Sequence, residues 1–147
     1  MDEFKNGFGD VTGEFWLGLE KLYRITNQPY IKYSIRVEML LTTGASYYYQ
    51  SDNFYIAAEK ERYKIVSIGS ITARNVGSSY YFVAGHVFAT PGKDVASKCG
   101  AAYNGFWYAA SKCTSYAYLR FNHMLPYWVS VGGTAVHTEI KIRPLNV

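Results

Sequence analysis

The chain has 147 residues, 49% of them hydrophobic and 18% charged, with a net charge of +4. That length suits one domain in which folding buries roughly 68–70% of the unfolded chain's surface, and the composition excludes intrinsic disorder. No apolar run approaches the roughly 20 residues of a membrane-spanning helix, and Lys and Arg are scattered without a phosphate-tracking stripe, so neither membrane insertion nor nucleic-acid binding is expected.

The first 20 residues alternate glycine with aromatics: Gly7, Gly9, Gly13 and Gly18 punctuate Phe8, Phe15 and Trp16. Glycine at this density predicts turns and close backbone approaches, with the aromatic rings as anchors. A short helix is expected over Glu14 to Leu22, weakened by Gly18. Tyr33 to Leu41 alternates, with Tyr33, Ile35, Val37, Met39 and Leu41 on one face and Ser34, Arg36 and Glu38 on the other, a half-buried strand. Tyr47-Tyr48-Tyr49 and Phe54-Tyr55-Ile56 flank the turn signal Ser51-Asp52-Asn53, which predicts a hairpin or a bent strand. Tyr63 to Ile68 reads as a further strand closed by Gly69. Residues 70–80 are small and polar, a loop. Tyr81 to Phe88 is apolar, a buried strand or loop segment.

Regular periodicity vanishes from Ala89 to Phe121, where Pro91-Gly92 opens a long irregular region. Its aromatics, Tyr103, Phe106, Trp107 and Tyr108, argue against disorder. Ala135 to Arg143 alternates again, Val136, Thr138, Ile140 and Ile142 against His137, Glu139, Lys141 and Arg143, and Pro144 stops the strand. The pattern is α+β, mainly an antiparallel sheet with one large loop region. The 18% aromatic content, with fifteen Tyr, fits a Tyr-rich β-protein and also a Tyr-lined binding face.

The two cysteines, Cys99 and Cys113, sit inside the irregular region. Their spacing fits two free thiols in a reducing compartment or one disulfide in an oxidising one. A bridge would close a loop of about 15 residues, worth on the order of 3 kcal/mol in the chain-entropy account. His86, His123 and His137 are too far apart for zinc spacing. No nucleophile elbow, P-loop or dinucleotide fingerprint occurs, so an enzyme is not expected. The acidic opening Met1 to Lys5 lacks the apolar core of a signal peptide, and there is no Asn-x-Ser/Thr sequon. Taken alone these features favour an intracellular protein or an incomplete chain.

Four segments, in order, resemble the fibrinogen-like (fibrinogen C-terminal) domain family. Phe4-Lys5-Asn6-Gly7-Phe8-Gly9 followed by Gly13-Glu14-Phe15-Trp16-Leu17-Gly18-Leu19-Glu20 is similar to the signature YKxGFG…GEFWLGNE. Tyr33-Ser34-Ile35-Arg36-Val37-Glu38 resembles the strand YxLRVxL. The span Cys99 to Cys113, with Tyr103-Asn104-Gly105-Phe106-Trp107-Tyr108 inside it, resembles CAxxYxGxWWYxxC. Thr138 to Pro144 resembles the closing strand TEMKIRP. The resemblance runs from Phe4 to Pro144 and lacks the family's N-terminal subdomain.

The resemblance implies an α+β fold: a twisted, mainly antiparallel sheet with short helices, plus a loop-rich, disulfide-stapled binding subdomain. Residues of about 1–88 and 135–147 correspond to the central sheet subdomain, about 89–134 to the loops. It implies a secreted, extracellular protein in which Cys99 and Cys113 are bridged, with any signal peptide upstream of this chain. The family's calcium motif DxDND falls on a shorter stretch here that keeps one acid, Asp94, between Lys93 and Lys98, a degenerate site for a cation that wants six to eight oxygens.

Lectin-like members bind acetyl groups beside the second Cys. By position the ligand-binding set here is Tyr103, Trp107, Tyr108, Lys112, Cys113, Thr114, Tyr116 and Tyr118, with a cis peptide between Lys112 and Cys113. The acetyl methyl takes an apolar slot and its carbonyl a backbone donor. For Trp107 and Tyr108 a place in the core is the stronger reading. After Cys113 the family's HxSNLNGxY becomes Thr114-Ser115-Tyr116-Ala117-Tyr118-Leu119-Arg120-Phe121, losing the His and both Asn. The functional expectation is a non-catalytic lectin-like module for acetylated glycans in innate recognition. The alternative is a protein-interaction, adhesion or receptor-binding module, or a truncated copy without binding activity. The partner is thus a glycan or a cell-surface protein, and oligomerisation is left open.

Overall fold

The structure, a computed structural model, describes residues 2–77, 81–90, 105–108, 119–122, 125–128 and 133–145. The chain opens with one helical turn, α1 (Asp2–Asn6), and a two-stranded ribbon, β1 (Phe8–Gly9) and β2 (Phe15–Trp16). Gly18 then admits α2 (Leu19–Thr26). The helix therefore starts later than its sequence pattern suggests, because Phe15 and Trp16 are committed to the ribbon, where Phe8 faces Trp16 and Gly9 faces Phe15.

Gly7 and Gly18 make that entry possible. Gly18 has φ 108° and Gly7 φ 93°. A Cβ on Gly18 would lie 2.8 Å from the carbonyl carbon of Asn6 and 2.9 Å from the amide nitrogen of Gly7. Two backbone segments cross there with no room for a side chain, in a conformation that L-residues avoid.

The main sheet is built from β3 (Tyr33–Leu41), β4 (Ser46–Ser51), β7 (Ile71–Arg74), β10 (Leu119–Asn122), β11 (Leu125–Trp128) and β12 (Gly133–Pro144). The strand order is β10-β11-β12-β3-β4-β7, and each neighbouring pair is antiparallel. At its centre the closing strand β12 lies against β3, with Ile142 opposite Ile35 and Ile140 opposite Val37. Two small sheets complete the fold: β5 (Tyr55–Ile56) with β6 (Ile65–Ser67), and β8 (Val87–Ala89) with β9 (Phe106–Tyr108). Between β5 and β6 lies the short 3-10 turn Glu59–Glu61.

Sequence and structure differ in three places. The hairpin joining β3 and β4 turns at residues 41–45, where the Gly44 N–H donates to the Leu41 carbonyl at 3.0 Å. Ser51-Asp52-Asn53 makes no hairpin but bends the chain out of the main sheet, the second of its two expected forms, and β5 pairs with β6 rather than with β4. Part of the expected loop over 70–80 is the edge strand β7, whose residues alternate between half-buried and exposed. Val136 does not continue the inward row of β12. The register shifts between Ala135 and His137, and the bulge leaves Val136 exposed.

One face of the main sheet packs on an aromatic core. Ile35, Val37, Met39, Leu41 and Tyr49 point into it and meet Phe54, Tyr63, Phe82, Phe88, Phe106, Trp107 and Tyr108. Phe88 and Trp107 stand edge to face at 5.0 Å, and Phe4 reaches Phe88 at 5.4 Å. Edge-on and tilted rings of this kind add about 0.5–1.5 kcal/mol per pair beyond the area they bury. The polar tips are satisfied: the Trp107 Nε1 donates to the Tyr63 carbonyl at 2.8 Å, the Trp16 Nε1 to the Phe4 carbonyl at 2.9 Å, and the Tyr49 hydroxyl accepts from the Phe82 N–H at 2.9 Å.

Two predictions follow from this core and its entry. The substitution Gly18→Ala destabilises the fold by at least about 2 kcal/mol through backbone strain and clash. Thermal unfolding should register this as a fall in Tm of roughly 5 °C or more, and an unchanged Tm would refute the close crossing. The second concerns His86, which is buried and whose side chain has no hydrogen-bond partner among the described residues. Burial lowers its pKa from the ordinary value of 6.5. The unfolded chain then binds the proton more readily, so the contribution of neutral His86 is full above 6.5 and declines as pH falls from there to the lowered folded value. Tm should fall as pH is lowered through that window, and His86→Phe should remove that part of the fall.

Candidate functional site

The irregular region expected to bind ligand follows β8 in sequence and contains β9. Their register sets Phe88 opposite Trp107 and Ala89 opposite Phe106. The backbone ties the pair to the rest of the core, since the Phe88 N–H donates to the Arg62 carbonyl at 3.0 Å and the Ile65 N–H to the His86 carbonyl at 2.9 Å. Gly105 immediately precedes β9, and a Cβ there would press on the Phe4 ring. The absence of a side chain at that position lets the aromatic opening of the chain touch the start of the platform.

Trp107 and Tyr108 are 2% and 1% exposed. Both belong to the core, as the stronger of their two sequence readings has it. Trp107 is held by the Tyr63 carbonyl and flanked by Phe82, Phe88, Phe106 and Trp16. Tyr63 in turn donates its hydroxyl to the Glu20 Oε2 at 2.8 Å. Burial, with the Glu20 carboxylate next, pushes the Tyr63 phenol up. The same hydrogen bond, followed by that from Arg24, holds Glu20 below the usual carboxylate range. A continuous line of contacts thus runs from α2 through Tyr63 to the Trp107 indole. The phenol stays neutral at physiological pH and serves as a fixed donor.

The other sequence-derived site residues, Tyr103, Lys112, Cys113, Thr114, Tyr116 and Tyr118, lie outside the described residues. So do Asp94, the Cys99–Cys113 pair and the Lys112–Cys113 peptide. Among the described residues no group of three or more His, Cys, Asp or Glu is placed to hold a metal, and no helix is long and apolar enough to cross a membrane. In the opening ribbon the Glu14 carbonyl accepts from the Asp10 N–H at 3.1 Å.

Sequence reading missed the face of the main sheet turned away from the core. Arg36, Glu38, Lys141 and Arg143 share it, because Arg36 pairs with Lys141, Glu38 with Glu139 and Ser34 with Arg143. Glu38 is the hub. Its Oε1 accepts from the Arg36 Nε and its Oε2 from the Lys141 Nζ at 2.9 Å. These two donors, Arg36 first, lower the Glu38 pKa, and Glu38 in turn raises that of Lys141. Arg36 also lies over the Tyr48 ring at 4.2 Å. The signal was available in the alternation of two strands, but the sequence does not show which strands become neighbours.

Comparison with known proteins agrees with this architecture. The chain matches the family described as fibrinogen beta and gamma chains, C-terminal globular domain, over residues 1–143. It is 35% identical to bovine angiopoietin-1 over 109 residues, covering 72% of this chain and 21% of that protein. The chain therefore spans about a fifth of that relative's length. Among solved structures, the fibrinogen-like globe domain of human ANGPTL2 superposes with a TM-score of 0.80 at 27% identity, over 97% of this chain and 71% of that one. Lamprey fibrin D-dimer, solved with the peptide ligand Gly-His-Arg-Pro-amide, superposes with a TM-score of 0.62 at 22% identity, over 73% of this chain and 39% of that one. With its aromatic opening, its central β3–β12 pair and a family match over nearly its whole length, the chain belongs to the fibrinogen C-terminal globular domain family.

Proposed function

We propose that this domain is a non-catalytic extracellular recognition module whose loop region, carried on β8 and β9, presents a contact surface to a partner protein or cell-surface receptor. The observation that carries this reading is the burial of Trp107 and Tyr108. Two of the aromatics that an acetyl-binding pocket would use as walls are spent on the core, so they support the loops rather than line a sugar slot. The sequence beyond Cys113 points the same way: Thr114, Ala117 and Leu119 stand where the family has its His and both Asn, and Tyr116 and Tyr118 lie among them. Tyrosines at these places suit protein contacts, which favour large amphipathic side chains with few rotatable bonds. A related fold that takes a peptide ligand, lamprey fibrin, adds support.

The acetyl-glycan reading is the competing outcome, and one experiment separates the two. The chain is immobilised and exposed to surface-biotinylated cells and, separately, to an N-acetylglucosamine resin. The expected result is capture of a discrete cell-surface protein that free N-acetylglucosamine and EDTA leave undisturbed. EDTA insensitivity is expected because Asp94 is the lone acid of the degenerate calcium stretch. Retention on the resin, released by the free sugar, would overturn the protein-contact reading.

The supporting role of Trp107 has its own test. Trp107→Phe removes the donor to the buried Tyr63 carbonyl and is expected to lower stability by about 1–3 kcal/mol. The affinity of the folded fraction for the captured partner should not change. A drop in affinity beyond the loss of folded protein would place the indole in the contact surface.

A further inference from the structure

The cations look scattered along the chain, yet folding gathers three of them. Ser34, Arg36, Gln50, Lys141 and Arg143 share the sheet face opposite the aromatic core and line a shallow groove of about 380 Å³. The groove lies over the middle of the sheet, where β12, β3 and β4 run side by side. None of its lining residues belongs to the segment of about 89–134 that carries the surface proposed above.

Its charges are not equally engaged. Arg36 and Lys141 are direct cross-strand partners, an arrangement that repels. Glu38 relieves it by accepting from both, and Glu139 approaches Lys141 at 3.4 Å. Arg143 is one row further along, opposite Ser34 rather than an acid. It is exposed and has no ion pair among the described residues. A guanidinium left free at the end of a groove presents a planar fork that binds carboxylate or sulfate through two parallel hydrogen bonds. Beside it, the Lys141 ammonium has further donor capacity, and the Gln50 amide supplies both a donor and an acceptor.

The sheet position narrows the ligand. β3 and β12 are central strands with their backbone groups committed to one another. An extended peptide draws affinity from main-chain hydrogen bonds at a free strand edge, and this face offers none. A nucleic-acid backbone needs a longer run of cations than three, and here Glu38 and Glu139 close the next row. What the groove does offer is one free guanidinium, one ammonium, an amide and a nearby carboxylate, all on side chains. That set suits a small ring bearing one anionic group and several hydroxyls.

We propose that this groove is an accessory site for an acidic saccharide, its anionic group seated on Arg143 and Lys141 and its hydroxyls met by Gln50 and Ser34. The site is independent of the loop surface and persists if the proposed protein contact fails.

The test uses polymers without acetyl groups, so that the loop-region readings cannot mimic the result. Polygalacturonate carries carboxylates, dextran sulfate carries sulfates, neutral dextran is the blank, and poly-glutamate offers the same charge on a peptide. Binding to polygalacturonate or dextran sulfate is expected, and the arm that binds identifies the anionic group. Arg143→Ala should weaken that binding about tenfold, the order expected for losing one charge-assisted contact. Lys60→Ala changes net charge equally at a distant exposed position and should leave it unchanged. The exposed, unpaired Arg143 side chain can be removed without loss of Tm. Failure of both acidic polysaccharides to bind, equal binding to poly-glutamate, insensitivity to Arg143→Ala, or an equal loss in Lys60→Ala would each overturn the proposal.

Discussion

Everything in this domain is positioned by the pairing of β3 with β12. The two strands lie antiparallel from Tyr33 opposite Pro144 to Leu41 opposite Ala135, and every other strand of the main sheet is joined to one of them directly or through a neighbour. Side chains on a strand alternate between its faces, so this register settles two surfaces at once. Ile35, Val37, Ile140 and Ile142 go to the aromatic side, while Arg36, Glu38, Lys141 and Arg143 go to the other. A slip by one residue would bury the charge cluster and expose the aliphatic row. The register is therefore enforced by desolvation on one side and by Glu38's two ionic contacts on the other.

The core resting on that sheet is unusual in its reliance on rings with polar tips. Tyr49, Tyr63, Trp16 and Trp107 each direct a hydroxyl or indole nitrogen to a specific partner. Aliphatic side chains can repack around an empty volume. An indole whose N–H must reach one carbonyl has far fewer acceptable poses. Hence β8 and β9 are fixed in orientation as well as depth.

Much of this was legible in the residues. β3 and β12 follow directly from their alternation, and the α+β class and family follow from the glycine-aromatic opening and the closing strand. The failures share a cause. β7 was hidden because Ile71-Thr72-Ala73-Arg74 is an edge strand, with little hydrophobic content to announce it. The helix start was misplaced because the glycine that terminates the ribbon also caps α2, so a local propensity argument could not see that Trp16 was already engaged. Val136 breaks its row at a bulge, which alternation cannot encode. The basic groove was invisible for a stronger reason. Its residues come from three strands, and strand order is a property of the whole chain.

The central sheet pair also bears on how the protein is made. β3 emerges before its partner, with Ile35, Val37 and Met39 ready to be buried, and that partner lies 103 residues further on at the Glu38–Lys141 contact. At ribosomal speeds of roughly 5–20 residues per second, that gap leaves β3 without its partner for several seconds on each nascent chain. During this interval β3 can pair with β4 alone, and its other edge remains open to any strand nearby. The biosynthesis of this domain therefore has a vulnerable period set by topology, in which a holding chaperone at the exit tunnel would do more for yield than any added native contact.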